Sequence, residues 1–441
     1  MANSTLYRTN TAPSASGYKY TFSAWVKRSK ITERQQFWRV LNPSATTYYS
    51  YLEFQADDKL HFNDYSSNGS LDVATNRLFR DTSAWYHIMA VVDTTQGTAS
   101  DRIKLYINGV QETSLVGTTY SLGQNQATTG TESGKNNYVG GDLANNTRFF
   151  NGYMSHVSFV DGQALAPTVF GQTDSTSGIW KFKSSSGVTW GNNGYNLKFE
   201  NSGNLGLDSS GEGHNLTVSG NLTQTVDTPS INWVTFNPLC NSGSGQVTYS
   251  RANTRGGTGG GASFLNMMPN SGKWFMEFHF NAAGAGQDNG IGFWSVDEAQ
   301  RIAFYAGGFK GIVWKYAGNV YVNGSNNAFS SNTFTSGDII SVAMDMDNST
   351  ATFYKNGSVA TNLNAYSFPF TERQAITVGI IDGASASSED GIFDFNSGAN
   401  PTFGGRKTAG GNADGNSQGN FSMAVPSGYY ALNTKNINTY G

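Results

Sequence analysis

Residues 84–110 read AWYHIMAVVDTTQGTASDRIKLYINGV and leave little freedom of fold. Trp85 to Asp93 is rich in aromatic and β-branched residues, as strands are. Along it Tyr86, Ile88, Ala90 and Val92 fall on one face and His87 on the other. Thr94 to Ser100 is polar and turn-forming. From Asp101 to Ile107 the alternation resumes, with Ile103, Leu105 and Ile107 on one side and Arg102, Lys104 and Tyr106 on the other. Asn108-Gly109 follows, a dipeptide suited to the positive φ angles of a tight hairpin turn. The stretch predicts an antiparallel meander with one buried face.

The second half repeats the design. Residues 337–359, GDIISVAMDMDNSTATFYKNGSV, run as a hydrophobic strand, a polar turn and a second strand closing on Asn356-Gly357. LYINGV at 105–110 and FYKNGS at 353–358 echo one another a whole domain apart, which predicts two domains of similar architecture and not a short-period repeat. Further strands are expected at 20–27, within 37–65 (FWRVL, YYSYLEFQ, KLHFND), at 137–141 and 152–160, and at 273–280, 289–295, 301–305, 311–316 and 319–323. Charged residues are 13% of the 441, about half the usual ~25%, and many short strands joined by polar turns give such a balance.

These residues also carry a resemblance. FSAWVKRS at 22–29, the 84–110 meander and FNGYMSHVSFVDGQAL at 150–165 resemble a laminin-G-like domain of the concanavalin A-like lectin/glucanase superfamily. SGKWFMEFHF at 271–280, IGFW at 291–294, the 337–359 hairpin and FDFNSG at 393–398 resemble a SPRY domain. The pairing, with PSGYYALNTKNI near the end, is similar to structural proteins of tailed bacteriophages, marine ones in particular.

The fold expected is all-β: two concanavalin A-like antiparallel sandwiches of jelly-roll type in tandem. The first is expected at 1–172 and the SPRY-like one at 233–441, with 405–420 as an inserted loop. Residues 173–232 form a β-rich connector. Within it LDSSGEGHNLTVSG at 207–220 fits two readings, a displaced strand that closes the first sandwich or an extended linker. Residues 112–136 read as rim loops, and RGGTGGGA at 255–262 as a flexible loop.

Net charge is −3 with no long basic run, which argues against nucleic acid as a partner. Cys240 is the only cysteine, so an intrachain disulfide is excluded and the residue reads as a small hydrophobe. No apolar run reaches transmembrane length, and MANSTLYRTN has neither a charged n-region nor an apolar h-region. Folding in a host cytoplasm and display on a virion surface are the expectation that the resemblance completes.

No catalytic constellation stands out, and no enzyme is expected. Glycoside hydrolysis needs two carboxylates flanking the scissile bond. Asp57-Asp58 and Glu389-Asp390 are adjacent and would face opposite ways on a strand, while Asp345 and Asp347 sit at a hairpin end. The five histidines are scattered. The resemblance admits calcium at a sandwich rim, with oxygens from Asp142, Asn145 and Asn146 or from Asp414, Asn412 and Asn416. Such clusters are more often plain loops, and no cofactor is expected.

Aromatic rings remain. Sugars stack on exposed Trp and Tyr. Tyr120, Trp190, Tyr195 and Tyr321 lie beside Gly/Asn-rich stretches and are the rim candidates, whereas Trp25, Trp85, Trp274 and Trp314 lie within strands and read as packing residues. The function expected is that of a phage virion surface protein: a tail-fibre or receptor-binding appendage for host surface glycan, or alternatively a capsid decoration. A polysaccharide-degrading enzyme is the alternative of another class. The partners expected are other virion proteins, a host glycan or receptor, and two further copies of the chain in a homotrimer, with no membrane insertion.

Overall fold

The computed structural model describes residues 4–42, 44–143, 147–243, 247–258, 261–283, 289–295, 309–369, 376–382 and 391–441. The chain divides into two compact units, Met1–Gln224 with Thr228–Ser230, and Thr225–Asp227 with Ile231–Gly441. The expected strand at 301–305, the acidic pair Glu389-Asp390 and the side chain of Cys240 lie outside the described residues.

Two antiparallel sheets make the N-terminal unit. Among the described residues one runs in the order Leu115–Tyr120, Gly69–Leu78, Lys59–Ser66, Ala45–Phe54, Gln35–Asn42, Asn136–Val139, Thr5–Thr9, Thr217–Ser219. The other runs Tyr195–Leu197, Gly152–Asp161, Lys19–Arg28, Tyr86–Asp93, Ile103–Ile107, Val110–Gln111. Period-two alternation decides what faces the core. Tyr20, Phe22, Ala24 and Val26 of one strand meet Ile88, Ala90 and Val92 of the next in a single buried cluster. Phe22 stacks on Trp38 at 4.9 Å between centroids. Arg28 enters this core with its charge matched by Asp58 at 3.0 Å, both side chains 0% exposed. Removing Asp58 would strand the Arg28 charge in a dry interior.

Residues Tyr195–Leu197 pair with Gly152–Asp161, and Thr217–Ser219 pair with Thr5–Thr9. Leu216 is buried in the same core. Within 207–220, Thr217–Ser219 lies on the edge of the larger sheet.

The C-terminal unit repeats the plan. One sheet runs Phe236–Gly243, Gly261–Leu265, Ile376–Asp382, Asn289–Ser295, Gly311–Lys315, Asn319–Val322, Ser325–Ser330. The other is built on Arg255–Thr258, Gly391–Asn396, Lys273–Ala283, Ile339–Asp345 and Thr350–Lys355 in that order. Trp274, Met276, Phe278 and Phe280 point inward together with Trp314, Phe353 and Phe393. At the C-terminus Tyr430–Ala431 lies parallel to Lys273–Ala283, and a helix follows at Thr434–Tyr440. The Asn433 side chain caps that helix by accepting from Asn436 N.

Two sequence expectations are corrected here. Leu115–Tyr120, expected within a rim loop, is an edge strand paired with Gly69–Leu78. It is solvated on both faces for most of its length, so it carries no apolar alternation. Arg255–Thr258 and Gly261–Leu265, expected as a flexible loop, are sheet strands. A Cβ on Gly256 would stand 2.9 Å from Ile380 Cδ1, so packing and not flexibility selects glycine there.

Candidate functional site

The hairpin that defines each unit is built alike. Asn108 has φ +49° and Gly109 +80°, and Asn356 and Gly357 have +48° and +83°. Both residue pairs take the left-handed geometry of a type I′ turn. In each, the Asn carboxamide also accepts an N–H near the start of the neighbouring strand: His87 N at 2.8 Å in one, Ile339 N at 2.8 Å in the other.

What lies on the outer faces differs. In the N-terminal unit the face of Lys19–Arg28 turned away from the core carries Thr21, Ser23 and Trp25. Residues 162–194 fold back over it. Thr21 Oγ1 donates to Gln163 O at 2.8 Å and accepts from Leu165 N at 3.0 Å. Phe170, Val160, Met89, Val91 and Trp190 form an apolar cluster beneath this cover. Gly171–Thr173 and Trp180–Phe182 pair as a small hairpin within it.

Trp180 fastens that hairpin. Its indole N–H donates to His87 Nδ1 at 3.1 Å, and His87 Nε2 lies 2.8 Å from Ser23 Oγ. His87 is therefore neutral, accepting at Nδ1 and donating at Nε2. Burial pushes its pKa down to about 3. Its ring is stacked between Trp25 at 5.0 Å and Trp180 at 6.0 Å.

Beside this stack the cover stands off the sheet and leaves a recess. The recess is small: its cavity volume is about 10 Å³, room for roughly one water. Ser23, Trp25, His156, Ser158, Asn196 and Lys198 line the sheet side, and Phe182 and Lys183 line the cover side. A β-bulge between Ser155 and Ser158 adds one residue to the strand there. Ser155 and Ser158 stay opposite outward-facing Trp25 and Ser23, Val157 goes to the core, and His156, with φ +49°, remains at the recess wall. The His156 ring lies 3.6 Å from that of Phe182. Burial, then the nearby Lys198 ammonium, lowers the His156 pKa to about 4.

One residue of its wall carries a buried donor with nothing to bond. Trp25 is 4% exposed, and its indole Nε1–H finds no acceptor among the described residues. Such a group costs about 1–3 kcal/mol unless something satisfies it.

The rim candidates are placed otherwise than expected. Trp190 and Tyr195 are 6% and 0% exposed. Tyr195 packs in the core and donates to Asn137 Oδ1 at 2.9 Å, leaving no free ring face for a sugar. A Cβ on neighbouring Gly191 would stand 2.0 Å from Asp161 O, so glycine there marks close packing and not an open loop. Tyr120 is half-buried against the N-terminal core, and Tyr321 is half-buried under Lys315 Nζ in the other unit. None of the four lines the recess. Trp25, expected as a packing residue, packs and also lines it; its position on the polar face of an alternating strand was the available signal.

The carboxylates weighed for calcium or hydrolysis have partners within the chain. Asp142 pairs with Arg39 at 2.6 Å, and Asn145 and Asn146 lie outside the described residues. Asp414 accepts Asn416 N, Gln418 N, Ala431 N and Asn436 Nδ2, so its oxygens hold the C-terminal segment. Asp58 binds Arg28 and Arg80, and Asp345 binds Lys273. Among the described residues no three His, Cys, Asp or Glu side chains group as metal ligands would.

A family model described as the concanavalin A-like lectin/glucanases superfamily matches residues 3–170. No curated protein matches the chain at a significant level. Among solved structures, domains LG4-5 of the mouse laminin alpha1 chain align over 89% of this chain and 85% of theirs, at 11% identity and TM-score 0.30. The SPRY domain of human HERC1 aligns over 36% of this chain and 96% of its own, at 18% identity and TM-score 0.29. Domain 4 of AbnA, a GH43 extracellular arabinanase from Geobacillus stearothermophilus, solved in complex with arabinotriose, covers 36% of this chain and 66% of its own, at 21% identity and TM-score 0.26. The chain is nearly all-β, and its residues 3–170 make a laminin-G-like domain of concanavalin A-like fold.

Proposed function

We propose that the protein binds glycan without turning it over, as a surface component of a tailed-phage particle that contacts the host. The observation that carries the binding half is the recess on the laminin-G-like unit. Serines, Asn196 and two lysines line it beside aromatic rings, and one of its wall residues, Trp25, carries an indole N–H with no acceptor among the described residues. Sugars offer what such a place lacks: hydroxyl and ring oxygens to accept, and C–H faces to lie on Phe182. Binding without turnover is favoured because the carboxylate pairs at 57–58 and 345–347 already serve ion pairs or backbone donors.

The virion half rests on the order of laminin-G-like and SPRY-like sequence described above. One shallow site binds weakly, since ordering and desolvation offset much of the contact energy. A homotrimer displayed in many copies raises the effective concentration and offsets that weakness.

The test has two parts. Purified protein is applied to an array of host-type glycans, with native mass measured alongside, and particles are imaged for its position. Retention on a glycan class, a trimeric mass and a position on the tail or capsid exterior are expected. Release of reducing sugar from a bound polysaccharide would overturn the binding-only reading, and absence from particles would overturn the virion reading.

A further inference from the structure

We infer that Asn68 is a site of spontaneous deamidation, and that it reacts ahead of every other Asn-Gly dipeptide in the folded chain. There are seven such dipeptides, with Asn at 68, 108, 151, 193, 289, 323 and 356. A glycine leaves its amide nitrogen open to the Asn before it, because it has no side chain to stand in the way. In an unfolded chain all seven are therefore alike, and the fold is what sorts them.

The chemistry says what to look for. The Gly69 amide nitrogen gives up its proton and attacks Asn68 Cγ. The N–Cγ bond forms, the Cγ–Nδ2 bond breaks, and ammonia leaves with that proton. The product is a cyclic imide, which water opens at one carbonyl or the other to give aspartate or isoaspartate. Closure needs the carboxamide to swing onto the following nitrogen. A hydrogen bond that holds the carboxamide, or a ladder that holds the backbone beside it, opposes that swing. Each such bond that must break first slows closure by up to about tenfold, or about 1.4 kcal/mol.

Six of the seven are held. Asn108 Oδ1 accepts His87 N at 2.8 Å. Asn356 Oδ1 accepts Ile339 N at 2.8 Å, and its Nδ2 donates to Asp338 Oδ1 at 2.6 Å. Asn323 is fixed at both ends of its carboxamide, by Gly311 N at 3.1 Å and Pro369 O at 2.6 Å. Asn193 is 0% exposed and donates to Ala12 O at 3.0 Å. Asn289 is also 0% exposed, within a central strand. Asn151 is half-buried and held through its backbone: its O accepts Ser29 N at 2.9 Å, and Gly152 stands opposite Arg28 in a strand with neighbours on both sides.

Asn68 is placed otherwise. It sits in the short turn that joins Lys59–Ser66 to Gly69–Leu78, and it is exposed. Its own N–H donates to Ser66 Oγ at 3.2 Å, while its carboxamide makes no hydrogen bond among the described residues. Solvent reaches it, nothing anchors the reacting group, and the turn tip has fewer ladder bonds to lose than a strand interior. Deamidation there adds one negative charge beside half-exposed Tyr65.

The experiment ages the full chain in mildly alkaline buffer, folded in one sample and unfolded in urea in another. Peptide mass mapping follows all seven sites with time. In the folded sample Asn68 is expected to react about tenfold or more ahead of any other Asn-Gly, and in urea that lead should vanish. Asn68→Gln should remove the fast event and keep the parent's thermal midpoint, since the residue is at the surface. Another Asn-Gly reacting as fast as Asn68 in the folded chain would overturn the inference. A lead for Asn68 that persists in urea would overturn it too, since local sequence and not the fold would then set the order.

Discussion

The outer face of Lys19–Arg28 and the outer face of Lys273–Ala283 are answers to one architectural problem. Each strand is central in its sheet, each has a buried inward face, and each has its outward face covered by chain that follows the sandwich. In the C-terminal unit the cover closes on its polar group. Glu277 accepts Met423 N at 2.7 Å, Ser422 N at 3.0 Å and Asn396 Nδ2 at 3.1 Å, while Phe275 meets Phe421 edge-on at 5.2 Å. In the N-terminal unit the cover is fastened at Thr21 and His87 and buries Trp25 without giving its N–H an acceptor among the described residues. A buried polar group satisfied within the chain holds a structure together, and one left unsatisfied is a place where water or a ligand can add a bond.

The largest expected difference between the two faces is in acid. His87 is neutral in the folded state and has a pKa near 3, well below its ordinary 6.5. The unfolded chain therefore binds the extra proton first, and the stability His87 contributes is complete above about pH 6.5 and lost as pH falls toward 3. Protonation also removes the acceptor for Trp180, so the hairpin 171–182 should come off the sheet with it. The loss is expected to reach several kcal/mol, read as earlier unfolding and as protease cleavage near Trp180 below pH 5. Glu277 has the opposite sign. Burial raises its pKa to about 7 against the ordinary 4.5, over the opposing effect of its three donors. The folded state then holds the extra proton, so its contribution is complete below about pH 4.5 and lost as pH rises toward 7. A loss on the order of 3 kcal/mol is expected in the C-terminal unit's transition, and Glu277→Gln should flatten it.

The hairpins sharpen the contrast further. Gly109 and Gly357 share the positive φ that a β-branched residue tolerates poorly. At Gly109 an added Cβ would also stand 2.5 Å from the Trp180 ring, whereas at Gly357 it meets only Met423 Sδ at 3.2 Å. Gly109→Val should cost about 3 kcal/mol and loosen the cover, and Gly357→Val about 1 kcal/mol. Equal losses in urea unfolding would remove the idea that the first hairpin supports the cover.

The sequence showed what is local and hid what is not. Asn108-Gly109 and Asn356-Gly357 were legible because turn geometry is set by two adjacent residues. Strand faces were legible wherever one side is buried. The covers were not, because residues 162–194 and 397–429 bury themselves through scattered contacts with no period. Glycine misled in both units: near Trp190 and at Gly256 it permits close packing, though among polar neighbours it read as an open loop. The recess was the least legible feature. It needs Trp25, Asn196 and the cover hairpin to converge, and their separation in sequence says nothing of that.

The most direct measurement is the indole N–H resonance of Trp25, assigned by its disappearance in Trp25→Phe and followed while a glycan retained on the array is added. The account predicts a downfield shift and slowed exchange with solvent at Trp25, saturating with the ligand, while the Trp180 N–H bonded to His87 stays in place. A saturating ligand that leaves the Trp25 resonance unmoved would contradict it.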